Sequence, residues 1–316
     1  MPIAHSYSFD PTYGYTLEQL FSVGAPEGPV DFEEFWRDTY EEALRIPLCA
    51  ERRKVRSPRP DFDLYEVEYN SLDRVRIGGW IAVPKGGKVD SAAVIGHGYG
   101  GRETPDFDEP FSNAVLIYPC ARGFHRSAHP GVPNSSHRHV LHGLDNRATY
   151  SHRGSVVDFW LAASVVLELF PQVANRLYYK GGSFGGGIGA LLLPWDPRFK
   201  KAYLDIPSFG NHPLRIGLPC VGSGQSIRTR YRRGQTEILE VLAYFDAATA
   251  ARHIEIPVFV AAATFDPAVP PPGQFAIYNA LRGTKELFLR QAAHFELAGN
   301  SHDDAAIHAR LLRWFA

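Results

Sequence analysis

The chain has 316 residues, 45% hydrophobic and 21% charged, a balance typical of a folded globular protein and not of a disordered or coiled-coil chain. Its 33 basic and 34 acidic residues give a formal net charge of −1, so nothing in the composition attracts nucleic acid or an anionic membrane surface. The sequence has neither a signal-peptide pattern nor an apolar run of about 18 residues, and we expect a cytoplasmic protein.

The first 60 residues are predicted to form an N-terminal extension of the catalytic body. Within it, residues 31–44 begin with Asp31 and Glu34 in a capping pattern, and aromatic residues follow at helical spacing, which predicts an amphipathic helix. Residues 64–69 alternate in polarity, and a turn-like segment separates them from the run at 74–83. This pattern predicts an antiparallel hairpin.

From residue 92 the pattern changes to short apolar strands separated by helical stretches. Strands are predicted at 92–95, 114–118, 177–180, 202–206, 258–263 and 286–289. Helices are predicted at 156–169, 185–193, 237–244, 273–281 and 304–314. An antiparallel start followed by βαβ units favours the α/β-hydrolase fold, with a mostly parallel central sheet and helices on both faces in a single domain over residues 1–316.

Two long stretches interrupt this alternation, at residues 105–144 and 207–235. Both are rich in Pro, Gly, Ser, His or Arg and only partly regular. Segments of this kind commonly lie over the carboxyl edge of a sheet, so we expect insert or lid loops that form the walls of a pocket.

Residues 181–185 read Gly-Gly-Ser-Phe-Gly and fit the G-x-S-x-G pattern. The motif lies after the predicted strand 177–180 and before a helix of small residues, the context that a nucleophile elbow requires. Glycines are needed because strand and helix approach closely at such a turn. Ser183 is therefore the candidate nucleophile.

A serine hydroxyl is a weak nucleophile unless a histidine takes its proton and an acid orients that histidine. Asp266 follows the predicted strand 258–263, and His294 follows the strand 286–289. The chain order Ser, Asp, His is that of α/β hydrolases. Asp246 is the rival acid, although it follows a helical stretch and not a strand.

A tetrahedral intermediate also needs backbone N–H donors. The segment His-Gly-Tyr-Gly-Gly at 97–101 directly follows the strand 92–95 and has the form of an oxyanion loop. The candidate donors are the N–H groups of Tyr99 and Phe184.

The cysteines and histidines suggest other chemistry only weakly. Cys49, Cys120 and Cys220 are scattered without a C-x-x-C spacing, so we expect buried free thiols, with Cys120 an outside candidate for a catalytic cysteine. Six histidines crowd one region, which raises a metal site as an alternative: His125, His129, His137, His139, His142 and His152. Because no H-E-x-x-H pattern occurs there, we predict neither a metal nor another cofactor.

From about residue 31 onward the sequence resembles the acetyl xylan esterase and cephalosporin C deacetylase family, carbohydrate esterase family 7. The resemblance is carried by the segments 31–36 (DFEEFW), 98–101 (GYGG), 170–173 (FPQV), 181–187 (GGSFGGG), 244–246 (YFD) and Asp266 with 270–271 (PP). It implies a triad of Ser183, Asp266 and His294, with Tyr99 as the oxyanion tyrosine. It also implies a small ester substrate such as an acetylated sugar or cephalosporin C, and a hexamer with active sites facing an internal cavity.

Three positions depart from the family pattern. Phe124, after Arg122 and Gly123, and Phe184, after the serine, stand where the family has Gln, and Phe295, after the histidine, stands where it has Glu. We expect Tyr99, Arg122, Phe124, Phe184 and Phe295 to contact substrate. The more apolar surroundings predict that acyl chains longer than acetyl are accepted.

Two other functions fit the same fold. The triad by itself does not distinguish an esterase from a peptidase or amidase. A non-catalytic binding protein is the third reading, although the presence of Ser, His and Asp in their proper context argues against it.

Overall fold

The computed structural model describes residues 3–86, 88–297 and 299–316. Nine strands form one sheet in the order β1-β2-β3-β5-β4-β6-β7-β8-β9. Their bounds are β1 Glu51–Val55, β2 Phe62–Asn70, β3 Arg76–Pro84, β4 Ser91–Ile95, β5 Ala114–Pro119, β6 Leu177–Gly182, β7 Phe199–Asp205, β8 Val258–Ala263 and β9 Lys285–Arg290. The first three strands and β5 pair antiparallel, whereas β4 to β9 form a parallel sheet.

The α-helices surround this sheet. They are α1 Leu17–Ser22, α2 Phe32–Leu44, α3 Ser136–His139, α4 Ser151–Leu169, α5 Phe184–Leu192, α6 His212–Arg215, α7 Gly224–Arg232, α8 Ile238–Leu242, α9 Ala247–Ala251, α10 Pro271–Ala280 and α11 Asn300–Trp314. Short 3₁₀ turns occur at Leu72–Arg74, His125–Ser127, Pro171–Val173 and Ala243–Phe245. In the described ranges, no helix combines the length and the apolar character needed to cross a bilayer.

The central strands are apolar because both faces of the sheet are covered. In β5, Ile117 belongs to the core under α2, α4, α5 and α10, while its neighbours Leu116 and Tyr118 belong to the core under α11. The alternation of side chains across a strand sends consecutive residues into these two cores. The predicted α/β-hydrolase fold is confirmed.

Several segments that the sequence predicts as inserts or as an extension contain regular elements in the structure. The interval 105–144 is not wholly an insert, because it contains β5 in the middle of the sheet. The extension over residues 1–60 contains β1, an edge strand whose charged residues are exposed, so apolar alternation does not mark it. It also contains α1, which Thr16 and Gln19 cap reciprocally. The interval 207–235 contains two short helices, α6 and α7.

Candidate active site

Ser183 lies at the sharp turn between β6 and α5. Its backbone has φ 52° and ψ −110°, a conformation that a non-glycine residue adopts only when its surroundings enforce it. The Ser183 N–H donates to the Asp205 carbonyl at 2.8 Å, and its own carbonyl accepts from Ser208 N–H and Gly187 N–H at 3.0 Å each. These bonds hold the serine above the carboxyl edge of the sheet.

Gly185 explains why the elbow needs small residues. Its N–H donates to the His97 carbonyl at 3.0 Å, and a Cβ at this position would lie 2.9 Å from the same oxygen. Helix α5 therefore packs directly against the backbone of the loop that follows β4. This contact brings the Gly-rich loop at 97–101 next to the serine.

His294 bridges the serine and Asp266. Its Nε2 lies 3.2 Å from Ser183 Oγ, and its Nδ1 lies 2.9 Å from Asp266 Oδ2 and 3.1 Å from Oδ1. The donor on Nδ1 implies the tautomer whose Nε2 can accept the serine proton. The Ala293 N–H also donates to the Phe265 carbonyl at 2.9 Å, which ties the two loops together.

Asp266 is fully buried, and its carboxylate has four partners. Besides His294, Oδ1 accepts from Ala268 N–H and Val269 N–H at 2.9 Å each, and Oδ2 accepts from Gln274 Nε2 at 2.9 Å. Gln274 is itself buried in α10, and its Oε1 accepts from Ala263 N–H at 2.8 Å. Sequence reasoning missed Gln274; the only signal was an amide on the otherwise apolar face of a helix.

The electrostatics of His294 suit a base. Burial by itself lowers the pKa of His294, but the hydrogen bond and negative charge of Asp266 outweigh burial, and the pKa lies above its ordinary value. The negative charge of Asp205 also raises the pKa of His294, by a smaller amount. The side chain keeps 29% of its surface exposed, so substrate can reach it.

The rival acid Asp246 has a different place in the structure. It caps α9 by accepting from Ala248 N–H and Thr249 N–H at 3.0 Å, and His212 N–H donates to it at 2.6 Å. Its carboxylate is buried among these backbone donors. Asp266, and not Asp246, is the acid that contacts His294.

The predicted oxyanion loop is held by His97, another residue that sequence reasoning did not single out. Its Nδ1 lies 2.7 Å from the Gly98 carbonyl, and its Nε2 lies 2.9 Å from Ala121 N–H. Burial lowers the pKa of His97 to about 4, so the ring is neutral and can donate from Nδ1 while accepting at Nε2. The other candidate donor, Phe184, begins α5, where N–H groups have no acceptor within the helix.

The Tyr99 side chain turns inward. Its hydroxyl lies 2.9 Å from His152 Nε2 and 3.2 Å from His139 Nδ1, and both histidines are buried. Its ring centroid lies 4.3 Å from that of Phe184 and 6.0 Å from that of Phe124. The Tyr99 hydroxyl is therefore engaged inside the protein, while the residue as a whole is only partly buried and stays a candidate contact.

The predicted substrate contacts need correction at three positions. Phe124 and Phe184 are buried behind the Tyr99 ring, so their side chains pack the loop and do not line an open pocket. Arg122 is buried too, and its guanidinium makes a bidentate pair with Asp158 at 3.1 and 2.9 Å. Phe295 is half-buried, 5.1 Å between centroids from Phe265, and stays a candidate contact.

The six clustered histidines and the three cysteines lie outside the group formed by Ser183, His294 and Asp266. His125 Nε2 lies 3.1 Å from the Gly100 carbonyl, and His137 contacts Ser226 across the two inserts. Within the ranges that the structure describes, no three His, Cys, Asp or Glu side chains form a group suited to a metal ion. Cys120 is buried and burial raises the pKa of its thiol, which disfavours the reactive thiolate, whereas Cys49 is exposed and corrects the expectation of three buried thiols.

Several known proteins are similar to this chain. The family model described as acetyl xylan esterase (AXE1) matches residues 15–312. The acetyl esterase Axe7A of Xylanibacter ruminicola is 23% identical over 279 residues, which cover 82% of this chain and 62% of that protein. The chain thus spans less than two thirds of this curated relative.

Two solved structures are similar over nearly their whole length. Acetyl xylan esterase 1 from Thermoanaerobacterium sp. JW/SL YS485 superposes with a TM-score of 0.81 and 21% identity, covering 96% of this chain and 99% of that one. Acetyl xylan esterase from Paenibacillus sp. R4 has a TM-score of 0.79 and 25% identity, and the match covers 94% of this chain and 99% of that one. Since the family model spans almost all of the chain, the predicted resemblance is confirmed, and this protein belongs to the acetyl xylan esterase family.

Proposed function

We propose that this protein is a serine carboxylic ester hydrolase that removes acetyl groups from small acetylated carbohydrates or related small esters. The observation that carries the proposal is the unbroken chain of hydrogen bonds from Ser183 through His294 to the buried Asp266. Membership of the acetyl xylan esterase family and the names of its structural relatives support the class of substrate.

The geometry suggests a two-step reaction. His294 takes the Ser183 proton as the hydroxyl oxygen attacks the ester carbonyl, and the N–H groups of Tyr99 and Phe184 stabilise the resulting oxyanion. His294 then returns the proton to the departing alcohol, which leaves an acyl-enzyme. In the second half, His294 activates a water that releases the acid. These steps need no cofactor.

The predicted tolerance of longer acyl chains has less support than the triad. Two of its three residues, Phe124 and Phe184, are buried, and only Phe295 remains partly accessible beside His294. We therefore expect acetate and propionate esters to be hydrolysed faster than octanoate esters.

The deciding experiment is hydrolysis of a p-nitrophenyl ester series, acetate to octanoate, by the native protein and by Ser183→Ala. Acetylated xylo-oligosaccharide, cephalosporin C and a peptide amide are assayed alongside. Loss of native ester turnover in the variant supports the proposal. Equal activity in the variant rejects Ser183 as nucleophile, preferential amide turnover favours a peptidase or amidase, and a silent native protein that also resists a fluorophosphonate probe favours a binding protein.

We also propose a cytoplasmic location and a homo-oligomer, the hexamer implied by the family resemblance. Light scattering coupled to size-exclusion chromatography measures the mass directly. A single species at the monomer mass of 35.2 kDa would contradict the oligomer.

A further inference from the structure

The proposed oxyanion loop at 97–101 has its tyrosine between glycines. Gly101 N–H donates to the Gly98 carbonyl at 3.0 Å, so Tyr99 lies inside a tight turn. A Cβ at Gly98 or at Gly100 would meet no atom of the described residues within 4 Å, so neither position packs against the body of the protein. Because glycine restricts the backbone least, the direction of the Tyr99 N–H depends partly on what holds the Tyr99 side chain.

That side chain ends at a pair of buried histidines. Its hydroxyl lies 2.9 Å from His152 Nε2 and 3.2 Å from His139 Nδ1. His152 belongs to the first turn of α4, and His139 is the last residue of α3, inside the interval 105–144. Both imidazole rings are fully buried. The hydroxyl thus joins the oxyanion loop to a core helix and to one of the predicted inserts.

The two rings complement a hydroxyl group. Burial lowers the pKa of His139 to about 3 and that of His152 well below its ordinary value, so both rings are neutral near pH 7. A neutral imidazole has one N–H donor and one acceptor nitrogen, and a phenol hydroxyl both donates and accepts. The Tyr99 hydroxyl can therefore donate to one ring and accept from the other, and both hydrogen bonds form at once.

The other proposed oxyanion donor packs against the same group. The ring centroid of Phe184 lies 4.3 Å from that of Tyr99. It lies 6.0 Å from the centroid of His139 and 6.0 Å from that of His152, and both contacts are edge-to-face. The two residues whose N–H groups are proposed to stabilise the oxyanion therefore share one cluster with the two histidines.

We propose that His139 and His152 are positioning residues that set the direction of the Tyr99 N–H by binding the Tyr99 hydroxyl. The inference rests on the proposed esterase function and adds two residues to the same site. Both rings are buried, so they act through Tyr99 and not on the substrate. An oxyanion hole is effective only when its donors are held in place, and a loosened Tyr99 should raise the barrier to reaction without preventing substrate binding.

The first test is Tyr99→Phe, which removes the hydroxyl and keeps both the ring and the backbone N–H. We expect kcat and kcat/KM for p-nitrophenyl acetate to fall together, about 10- to 100-fold, while KM changes little. The inhibition constant of 1,1,1-trifluoroacetone, which forms a charged hemiketal with a catalytic serine, should rise by a similar factor.

The matched control is Tyr69→Phe, which removes another buried hydroxyl. That hydroxyl donates to the Asp158 carbonyl at 2.8 Å, away from the oxyanion loop. Thermal melting of both variants measures the loss of stability that follows from deleting a buried hydroxyl. We expect Tyr69→Phe to melt at about the same temperature as Tyr99→Phe and to keep the native kcat and inhibition constant.

The histidines contact the hydroxyl through different nitrogens, which allows a test specific to position. The side-chain amide of Gln can replace Nε2 of an imidazole, and that of Asn can replace Nδ1. We therefore expect His152→Gln to retain more kcat than His152→Asn, and His139→Asn to retain more than His139→Gln. The difference should be about 3- to 10-fold, the factor expected for one hydrogen bond.

A double variant shows whether a histidine acts through Tyr99. In the Tyr99→Phe background, His152→Phe should lower kcat no further, because the hydroxyl that it binds is already absent. If a histidine variant fails to fold, Tyr99→Phe and its control decide the question by themselves.

Native kcat in folded Tyr99→Phe would overturn the proposal, as would the reverse order or equal activity of the Gln and Asn variants at both histidines. In either case, turnover of p-nitrophenyl acetate by the native protein leaves the esterase function intact. Absence of ester turnover by the native protein would instead overturn the proposed function, and this inference with it.

Discussion

At the scale of single residues, buried polar side chains hold the proposed triad and the proposed oxyanion loop in place. Gln274 joins the carboxylate of Asp266 to the end of β8, and His97 joins the Gly-rich loop to the chain beyond β5. Each satisfies both a donor and an acceptor inside the protein, where an unpaired polar group would be costly. Their roles in the proposed chemistry are positional.

Replacing Gln274 by Leu should reduce activity and stability together. The change removes one hydrogen bond from Asp266 and leaves the Ala263 N–H unpaired, so we expect a loss of about 1–3 kcal/mol in the free energy of unfolding. Urea denaturation measures this loss, and kcat for p-nitrophenyl acetate is expected to fall with an altered pH profile. The exposed Gln172→Leu is the control; equal effects in both variants would contradict a positioning role.

The pH dependence of activity should report the pKa of His294. The proposed base works only when neutral, so kcat/KM should fall as the pH is lowered through the pKa of His294, which the partner Asp266 raises above the ordinary value of about 6.5. In Asp266→Asn the carboxylate that raises the pKa of His294 is lost. The low-pH limb of the residual activity should therefore move to lower pH. We expect kcat in that variant to fall about 10⁴-fold, as when the acid of a serine triad is neutralised. An unshifted acid limb would show that another group controls it.

At the scale of the elements, α4 packs against α2 and α5 and connects distant parts of the chain. It is buried on nearly all sides, and its Asp158 pairs with Arg122 from the loop after β5. Arg122 also donates to the carbonyl of Leu72 at 3.2 Å, and Ser71 donates its hydroxyl to Asp158 at 2.6 Å. One ion pair thus links α4 to the loop after β5 and to the turn between β2 and β3.

Breaking this pair on one side should destabilise the protein strongly. We expect Arg122→Met to cost about 3–5 kcal/mol in the free energy of unfolding, because it leaves Asp158 charged and buried. The double variant Arg122→Met with Asp158→Leu should cost much less than the sum of the single changes. Urea denaturation of the native protein, the two single variants and the double variant measures the coupling energy between the two side chains.

The matched control is Arg45→Met, which breaks an exposed pair with Glu41. We expect that change to cost less than about 1 kcal/mol. If the losses in free energy of unfolding of the two single variants add up to that of the double variant, the buried pair does not act as a unit.

At the scale of the whole molecule, the N-terminal segment crosses the C-terminal half of the chain. The Pro11 carbonyl accepts from the Asp266 N–H at 3.1 Å, and Asn279 donates to the carbonyls of Leu20 and Val23 at 2.9 Å. Farther along, Trp36 Nε1 donates to the Tyr244 carbonyl at 2.8 Å. The N-terminal extension is therefore part of the support of the proposed acid.

Deleting residues 1–14 should lower kcat while the sheet remains folded. The deletion removes Pro11 from the Asp266 backbone and Tyr13 from Pro219, but it leaves the capped helix α1 in place. Activity toward p-nitrophenyl acetate and the far-UV circular dichroism are measured together. Deletion of residues 1–4 is the control, and equal kcat for the two truncations would argue against this support.

The sequence by itself determined the α/β-hydrolase fold and the order of Ser183, Asp266 and His294. It could do so because these signals are local: an apolar run marks each buried strand, and a functional residue follows its end within a few positions. Once parallel strands share an edge, residues at their carboxyl ends meet there. Where apolar character was absent, as in the charged edge strand β1, the pattern did not predict the element.

Only the tertiary structure decided which side chains lie near Ser183 and which are buried away from it. Arg122 turned out to be paired with Asp158, and Phe124 and Phe184 were found behind Tyr99, whereas the hydrogen bond of Gln274 to Asp266 came into view only once the neighbours of both were known. The direction and partners of a side chain depend on contacts with residues far away in the chain. Spacing along the sequence cannot encode those contacts, because burial and pairing are set by packing among distant elements.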